Sequence, residues 1–178
     1  GPIRQSRQDH RLKQGIMILR PTYYINGDIT DLDVNILWDD GVKGLMIDLD
    51  STLMAPKAGS LSVQVEEWLS TAKDRFEIVI LSNNKRKDYL SSVENLLGVP
   101  VIGHAAKPFK QGFEKAVEHL QMPKNEVVII GDRALTDILG GCLFGVRTVL
   151  VMPLKDIKEP RLKTYARNIE RALARRGD

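Results

Sequence analysis

From about residue 42 onward, short apolar runs alternate with longer stretches in which apolar residues recur every three or four positions. The apolar runs have the length of buried strands and cover residues 45–49, 78–81, 99–102, 127–130 and 148–151. The stretches between them predict amphipathic helices, three of which end at Gly98, Pro123 and Gly145. Because the strands are almost continuously apolar, the pattern predicts an α/β fold with a mainly parallel five-stranded sheet, covered by helices on both faces.

Two segments lie outside this alternating core, which spans residues 41–154. Residues 1–40 are interpreted as an N-terminal extension, whose first residues are expected to be flexible and begin with a Gly-Pro pair typical of tag removal. Residues 155–178 predict a basic amphipathic C-terminal helix. Its apolar stripe has three possible binding surfaces, namely the core, a partner and an anionic membrane.

The composition is that of a soluble globular domain, with 178 residues of which 43% are hydrophobic and 28% charged. No apolar run approaches the roughly 20 residues that span a bilayer, and no signal peptide is recognisable. The single cysteine, Cys142, excludes an internal disulfide and favours a reducing compartment. We therefore expect a cytoplasmic protein, with contact at the inner face of a membrane left open.

The net charge of +3 is unevenly distributed, with +4 in residues 1–20, +4 in residues 155–178 and −5 between them. Basic ends suit a polyanion such as an anionic membrane, a nucleic acid or a phosphorylated substrate, and they equally suit a solvated helix face. No nucleic-acid-binding motif or array of stacking aromatic residues accompanies them, so no nucleic-acid partner is expected.

Polar residues follow four of the predicted strands, at the edge where parallel sheets bind ligands. Asp48 and Asp50 end the first strand, and their two-residue spacing places both carboxylates on one side. Close carboxylates need a shared proton or a cation, for which Mg²⁺ is the natural candidate. Ser82 and Asn83 follow the second strand, where they suit either an anion or a helix cap.

Lys107 follows the third strand, and Asp132 and Asp137 follow the fourth. Each of these residues also has an ordinary interpretation. Lys107 could be solvated, Asp132 could cap a helix, and Asp137 could be an acidic residue of the first helical turn. Their occurrence in this order, each at the end of a strand, is a much stronger signal than any one of them.

The set Asp48-x-Asp50-x-Thr52, Ser82, Lys107 and Gly131-Asp132-x₄-Asp137 resembles the four motifs of the haloacid dehalogenase (HAD) superfamily, over roughly residues 43–152. The surrounding residues resemble the YqeG-like subgroup, which is related to phosphatidylglycerophosphate phosphatases. Ser51 departs from this pattern, since relatives often carry Asn there. The resemblance implies a Rossmann-like three-layer core. Neither interval that could hold an inserted domain is long enough, so no large cap domain is expected.

The resemblance also implies roles for these residues in a Mg²⁺-dependent phosphomonoester hydrolase. Asp48 would be the nucleophile that forms an aspartyl-phosphate, Asp50 the general acid and base, and Lys107 a catalytic countercharge. The phosphate would be bound by Ser82, Asn83 and Lys107. The Mg²⁺ ligands would come from Asp48, the backbone carbonyl of Asp50, and Asp132, with Thr52 and Asp137 in supporting roles.

An uncapped site is open to bulky substrates unless another subunit closes it. The resemblance and the basic ends favour dephosphorylation of phosphatidylglycerophosphate to phosphatidylglycerol, within phospholipid biosynthesis. The alternatives are a soluble phosphate ester or a phosphoprotein as substrate, and a HAD-fold binding module without turnover. A homo-oligomer and peripheral contact with an anionic membrane are both compatible with the sequence.

Overall fold

A computed structural model describes residues 19–157 and 168–174. Its centre is one sheet of parallel strands, in the spatial order β1-β6-β5-β2-β3-β4. The strands are β1 (Tyr23–Tyr24), β2 (Gly44–Ile47), β3 (Glu77–Leu81), β4 (Val101–Ile102), β5 (Val127–Gly131) and β6 (Arg147–Leu150). The predicted parallel α/β sheet is therefore confirmed, with its carboxyl ends along a single edge.

Helices cover both faces of the sheet and complete three layers. They are α1 (Val34–Asp39), α2 (Val63–Lys73), α3 (Lys87–Leu97), α4 (Lys110–Leu120), α5 (Leu139–Phe144) and α6 (168–174). Short 3₁₀ turns at Ile29–Asp31 and Lys124–Glu126 and a π-helical turn at Ala134–Ile138 connect them to the strands.

Alternate residues of the central strands point into two separate cores, as the pleat of a strand requires. Leu45 and Ile47 belong to the core beneath α1, α2 and α3. Met46, between them, belongs to the core beneath α4, where Phe113 is fully buried. Because both faces are covered, the strands are apolar throughout, which is the signal that the sequence carried.

The sequence predicted five strands, and the sixth strand, β1, is a correction. β1 pairs with the edge of β6, Tyr23 opposite Val149, and is too short to produce a recognisable apolar run. Residues 29–39 pack into the core that contains Leu45 and Ile47, and Ile29 and Leu37 are fully buried there. The part of residues 1–40 that the structure describes is thus packed against the sheet, while residues 1–18 lie outside the described residues.

The described part of the predicted C-terminal helix, α6, packs on the core. Ala174 is buried against Leu150 and Ile138. Arg171 donates a hydrogen bond through Nη1 to the Val151 carbonyl at 2.6 Å. The remainder of this predicted helix, residues 158–167 and 175–178, lies outside the described residues.

Within residues 19–157, the connections between strands leave the sheet edge uncovered. A loop and α2 join β2 to β3, and α3 alone is the helix between β3 and β4, so no large cap domain is inserted. None of the helices that the structure describes is long and apolar enough to cross a membrane.

Candidate active site

The carboxyl ends of β2, β3 and β5 surround an open cleft of about 410 Å³. The cleft is lined by residues that the sequence analysis predicted to form the site, which follow β2, β3, β4 and β5. They are Asp48, Asp50, Ser82, Asn83, Lys107 and Asp132. The topology explains this, since β2 lies in the middle of the sheet with β5 on one side and β3 on the other.

Lys107 connects two of the carboxylates. Its Nζ lies 2.7 Å from Asp48 Oδ1 and 2.8 Å from Asp137 Oδ1, and its side chain is almost completely buried. Burial alone would lower the pKa of Lys107, but the carboxylates of Asp137 and Asp48 outweigh it and raise the pKa above its usual value. Lys107 is therefore a permanently charged ammonium at the floor of the cleft.

Thr52 lies between Asp48 and Asp132. Its Oγ1 is 3.2 Å from Asp48 Oδ2 and 3.1 Å from Asp132 Oδ1, within hydrogen-bond distance of both. A hydroxyl has one proton, so it donates to one carboxylate at a time. Because Lys107 holds the other oxygen of Asp48, both oxygens of this carboxylate have a partner and its orientation is fixed.

Asp137 is fully buried and its two oxygens are both engaged. Oδ1 accepts from Lys107, and Oδ2 accepts from the backbone N–H of Arg133 at 3.3 Å. Burial and the neighbouring Asp48 carboxylate raise the pKa of Asp137 to about 6, against the opposing effect of Lys107. We infer that Asp137 orients Lys107.

The Asp50 side chain points to a different neighbour, the Tyr89 hydroxyl of α3, which donates to Asp50 Oδ1 at 3.3 Å. Burial and the nearby Asp48 charge raise the pKa of Asp50, while the bond from Tyr89 opposes this shift. A carboxyl group with a raised pKa is a better proton donor near neutral pH than an unperturbed one.

Ser82 and Asn83 stiffen the loop after β3. The buried Ser82 Oγ accepts from the backbone N–H of Asn84 at 3.1 Å. The Asn83 amide accepts from the Lys107 N–H at 2.8 Å and donates to the Lys107 carbonyl at 3.1 Å. Asn83 therefore holds the loop that carries Lys107, a contact that the sequence did not predict.

The carboxylates form a donor set that suits a hard cation. Oxygens of Asp48, Asp132 and Asp137 all lie within 4.8 Å of one another. Asp48 and Asp132 line the cleft, whereas Asp137 is fully buried behind Lys107, so the oxygens of Asp48 and Asp132 are better placed to hold a metal ion. Carboxylate oxygens are the protein ligands that Mg²⁺ prefers, so the donor chemistry fits this ion.

Comparison with known proteins identifies the family. The model of the mitochondrial PGP phosphatase family matches residues 13–155. The chain belongs to this family. It is 34% identical over 146 residues to the Bacillus subtilis protein named "Probable phosphatase YqeG", and the match covers 79% of this chain and 84% of that one.

A second relative of this chain is the chloroplastic phosphatidylglycerophosphate phosphatase 1 of Chlamydomonas reinhardtii. The two are 33% identical over 152 residues, which is 80% of this chain and 56% of the relative, so the chain spans about half of that relative's length. A magnesium-bound crystal structure of YfnB from Bacillus subtilis, described as a HAD hydrolase, shares the fold. Its TM-score is 0.52 with 14% identity, covering 67% of this chain and 90% of YfnB.

The resemblance to HAD phosphatases that the motifs indicated is thereby confirmed, and the chain is a HAD-type phosphatase related to the PGP phosphatases. Two residues at the site were missed from the sequence. No local signal marked Tyr89, and Arg133 was one of the unspecified positions between Asp132 and Asp137. Arg133 lines the cleft and forms a bidentate pair with Glu170 of α6. The pairing of Arg133 joins residues remote in sequence, so no local spacing indicated it.

Proposed function

We propose that this phosphatase hydrolyses the terminal phosphomonoester of phosphatidylglycerophosphate through an aspartyl-phosphate on Asp48. One observation carries the chemistry, namely that Asp48 reaches an open cleft with Lys107 on one of its oxygens and Thr52 on the other. The lipid substrate is supported by the family match and by the name of the Chlamydomonas relative.

In the first step, an Asp48 oxygen attacks phosphorus while the bond from phosphorus to the leaving alcohol breaks. Asp50 transfers its proton to the leaving oxygen, so the alcohol departs neutral and Asp50 becomes a carboxylate. Lys107 offsets negative charge on Asp48 and on the phosphoryl group, and Asp137 holds the ammonium in place. Ser82, which lines the cleft, would donate its hydroxyl to a phosphoryl oxygen, and Asn83 contributes by bracing Lys107.

In the second step, a water molecule attacks the phosphorus of the aspartyl-phosphate while Asp50 accepts its proton. The bond between phosphorus and Asp48 breaks, which regenerates the Asp48 carboxylate and the protonated Asp50 and releases inorganic phosphate. Tyr89 keeps the Asp50 side chain directed at the cleft through its hydroxyl. Splitting hydrolysis into two displacements lowers the barrier of each.

The carboxylates of Asp48 and Asp132 and the backbone carbonyl of Asp50 would hold Mg²⁺. When bound, Mg²⁺ withdraws negative charge from the phosphoryl oxygens. The charges of the site favour a cation, because Asp48, Asp50 and Asp132 line the cleft and Asp48 shares the Lys107 ammonium with Asp137.

The absence of a cap domain in the described core favours a substrate whose phosphate projects from a large body. A lipid headgroup meets this condition, and so does a phosphoprotein. A soluble phosphate ester would react in the same cleft without using the space around it. The chemistry is the same in each case, so substrate choice needs its own experiment.

We test the proposal by assaying the purified full chain with phosphatidylglycerophosphate in mixed micelles and with a panel of soluble phosphate esters and phosphopeptides. Asp48→Asn is expected to abolish turnover of every substrate with the fold retained, because it removes the nucleophile but keeps the side-chain volume. Asp88→Asn, which changes an exposed carboxylate of α3, is the matched control and should leave activity unchanged.

EDTA is expected to inhibit the enzyme, and added Mg²⁺ to restore activity. Hydrolysis of the panel with no turnover of phosphatidylglycerophosphate would exclude the lipid substrate. Near-normal activity of Asp48→Asn would exclude the assigned nucleophile.

A further inference from the structure

Three loops at the mouth of the cleft are joined into one surface. The loop after β3 is tied to the loop after β4 by the pair of bonds between Asn83 and Lys107 and by the bond from the His104 N–H to the Asn84 carbonyl at 2.8 Å. The loop after β2 joins them through Asp50, which accepts a hydrogen bond from the Tyr89 hydroxyl of α3 at 3.3 Å. Residues that follow these contacts therefore surround the cleft on its β3–β4 side.

The charged side chains that these loops and the first residues of α3 and α4 expose are mostly cationic. We name them the basic rim, which consists of Lys57, Lys85, Arg86, Lys87, Lys110 and the aromatic Phe109. Two exposed carboxylates are near these five cations, Asp88 at 3.6 Å from Arg86 and Glu114 at 3.7 Å from Lys110. The rim therefore keeps an excess of positive charge beside a site that binds a phosphate.

Phe109 is unusual among the aromatic residues of this domain because its side chain is in water, with 66% of the residue exposed. It is the N-cap residue of α4, two positions after Lys107, and Lys110 follows it directly. The other described phenylalanines, Phe76, Phe113 and Phe144, are packed against the core. An exposed aromatic ring beside cations is typical of a surface that enters the boundary of a bilayer.

Within residues 19–157, the excess of positive charge is local to the rim. At the opposite edge of the sheet, where the strands begin, acidic and basic side chains are balanced, as in Lys73, Asp74, Arg75 and Glu77 before and at the start of β3. On the β1 side of the carboxyl edge, acidic residues such as Asp28, Asp31 and Asp33 predominate. Among the residues that the structure describes, the β3–β4 side of the cleft is therefore the side that suits a polyanion.

We propose that the basic rim docks the mouth of the cleft on an anionic phospholipid bilayer, with Phe109 inserted at the level of the headgroups. This proposal rests on the proposed function, since a lipid phosphate must be reached while its acyl chains stay in the membrane. Electrostatic attraction from several lysines and arginines near the surface supplies affinity and orientation, and a buried aromatic ring adds to it. The shape of the mouth favours a bilayer over a phosphoprotein, because the cations lie along three adjacent loops of an open rim and not within an enclosed groove.

The experiment measures binding of the full chain to vesicles by sedimentation, comparing phosphatidylcholine vesicles with vesicles of equal parts phosphatidylcholine and phosphatidylglycerol. All proteins carry Asp48→Asn, so binding is measured without turnover. We expect binding to the anionic vesicles only, weakened by added salt. The double substitution Lys85→Glu and Lys87→Glu is expected to reduce this affinity by about tenfold or more.

Two control variants distinguish the effect of the rim on vesicle binding from the effects of net charge and of exposed apolar side chains in general. Arg75→Glu with Lys115→Glu makes the same change in net charge at exposed positions away from the rim. Phe109→Ser is expected to weaken binding several-fold, whereas Leu143→Ser, at another exposed apolar residue, should not. With Asp48 restored, the rim variants should hydrolyse soluble p-nitrophenyl phosphate at the normal rate.

Equal binding by the rim variant and the parent protein, or an equal loss in the charge control, would overturn the docking surface. Failure of the parent to bind anionic vesicles, with rim-dependent binding to a phosphoprotein instead, would also overturn it. Either result leaves the proposed function standing if phosphatidylglycerophosphate is hydrolysed in micelles. Conversely, rim-dependent vesicle binding without such hydrolysis would support the docking surface as a membrane contact and exclude the lipid substrate.

Discussion

Gly131 cannot be replaced without moving Asp137, because the carboxylate of Asp137 lies where a Cβ of residue 131 would be. That carboxylate is buried and is held by Lys107 and by the Arg133 backbone, so it cannot rotate away without losing both partners. The glycine at the end of β5 is thus required by the ion pair in the active site.

We predict that Gly131→Ala displaces Asp137 and, through it, Lys107. Overpacking of this kind costs about 1–3 kcal/mol of unfolding free energy, and a displacement of roughly 1 Å at a catalytic group lowers turnover by about 100-fold. Thermal unfolding and kcat for a soluble ester measure the two effects. Gly59→Ala is the control, because a Cβ there meets nothing within 4 Å. Normal kcat in Gly131→Ala would show that Asp137 is not needed to position Lys107.

The site residues could be predicted from the sequence where they follow predicted strands, as Asp48, Lys107 and Asp132 do. The partners of these residues could not. That Asn83 braces the backbone of Lys107, or that Tyr89 reaches Asp50, depends on how two loops and a helix pack after folding. The sequence also did not predict that Ser51 has a left-handed backbone, with φ of 68°. Asn tolerates this conformation best among residues with a side chain, which gives a physical reason for the Asn that the family pattern often has at this position.

At the scale of elements, α6 is connected to the loop that carries two site carboxylates. Arg133, between Asp132 and Asp137, donates through Nε and Nη2 to the Glu170 carboxylate at 3.0 and 2.5 Å. Glu170 is largely buried, whereas the Arg133 side chain is about one-third exposed. A bidentate pair of this geometry fixes the position of the loop as well as the helix.

We predict that Glu170→Ala lowers the unfolding free energy by about 1–2 kcal/mol, a value between those of exposed and buried ion pairs. Glu170→Gln should lose less, because the amide oxygen still accepts one hydrogen bond from Arg133. Urea unfolding of both variants measures this order. Glu118→Ala, at an exposed position of α4, is the control. If Gln and Ala are equally destabilising, or neither is, the pair does not hold α6 to the loop.

The elements themselves differ in how well the sequence predicted them. The central strands and α2 to α4 have strong apolar periodicity, so their order and type could be predicted from the pattern. The two-residue β1 forms by pairing with β6. The π-helical turn at Ala134–Ile138 forms where the Asp137 side chain faces Lys107. Neither leaves a periodic signal in a segment this short. The lack of such a signal for β1 is why five strands were predicted and not six.

At the scale of the whole molecule, the site lies between the basic rim and, among the described residues, a β1 side where acidic residues predominate. Burial raises the pKa values of Asp50 and Asp137, and repulsion from the Asp48 carboxylate adds to both shifts. Concentrating like charge in the middle of a sheet edge reduces stability, and proteins retain such arrangements where function requires them. A bound cation would relieve this repulsion and so link metal binding to folding.

Thermal unfolding with and without Mg²⁺ tests this linkage independently of activity. A ligand that binds only the folded state raises the midpoint, by an amount equivalent to about 2.7 kcal/mol at 100 times its Kd. We expect this rise in the unmodified chain. Asp132→Asn should abolish it because one ligand is lost. Asp88→Asn should keep the parent's response to Mg²⁺. A midpoint that responds equally in Asp132→Asn would show that the ion binds elsewhere.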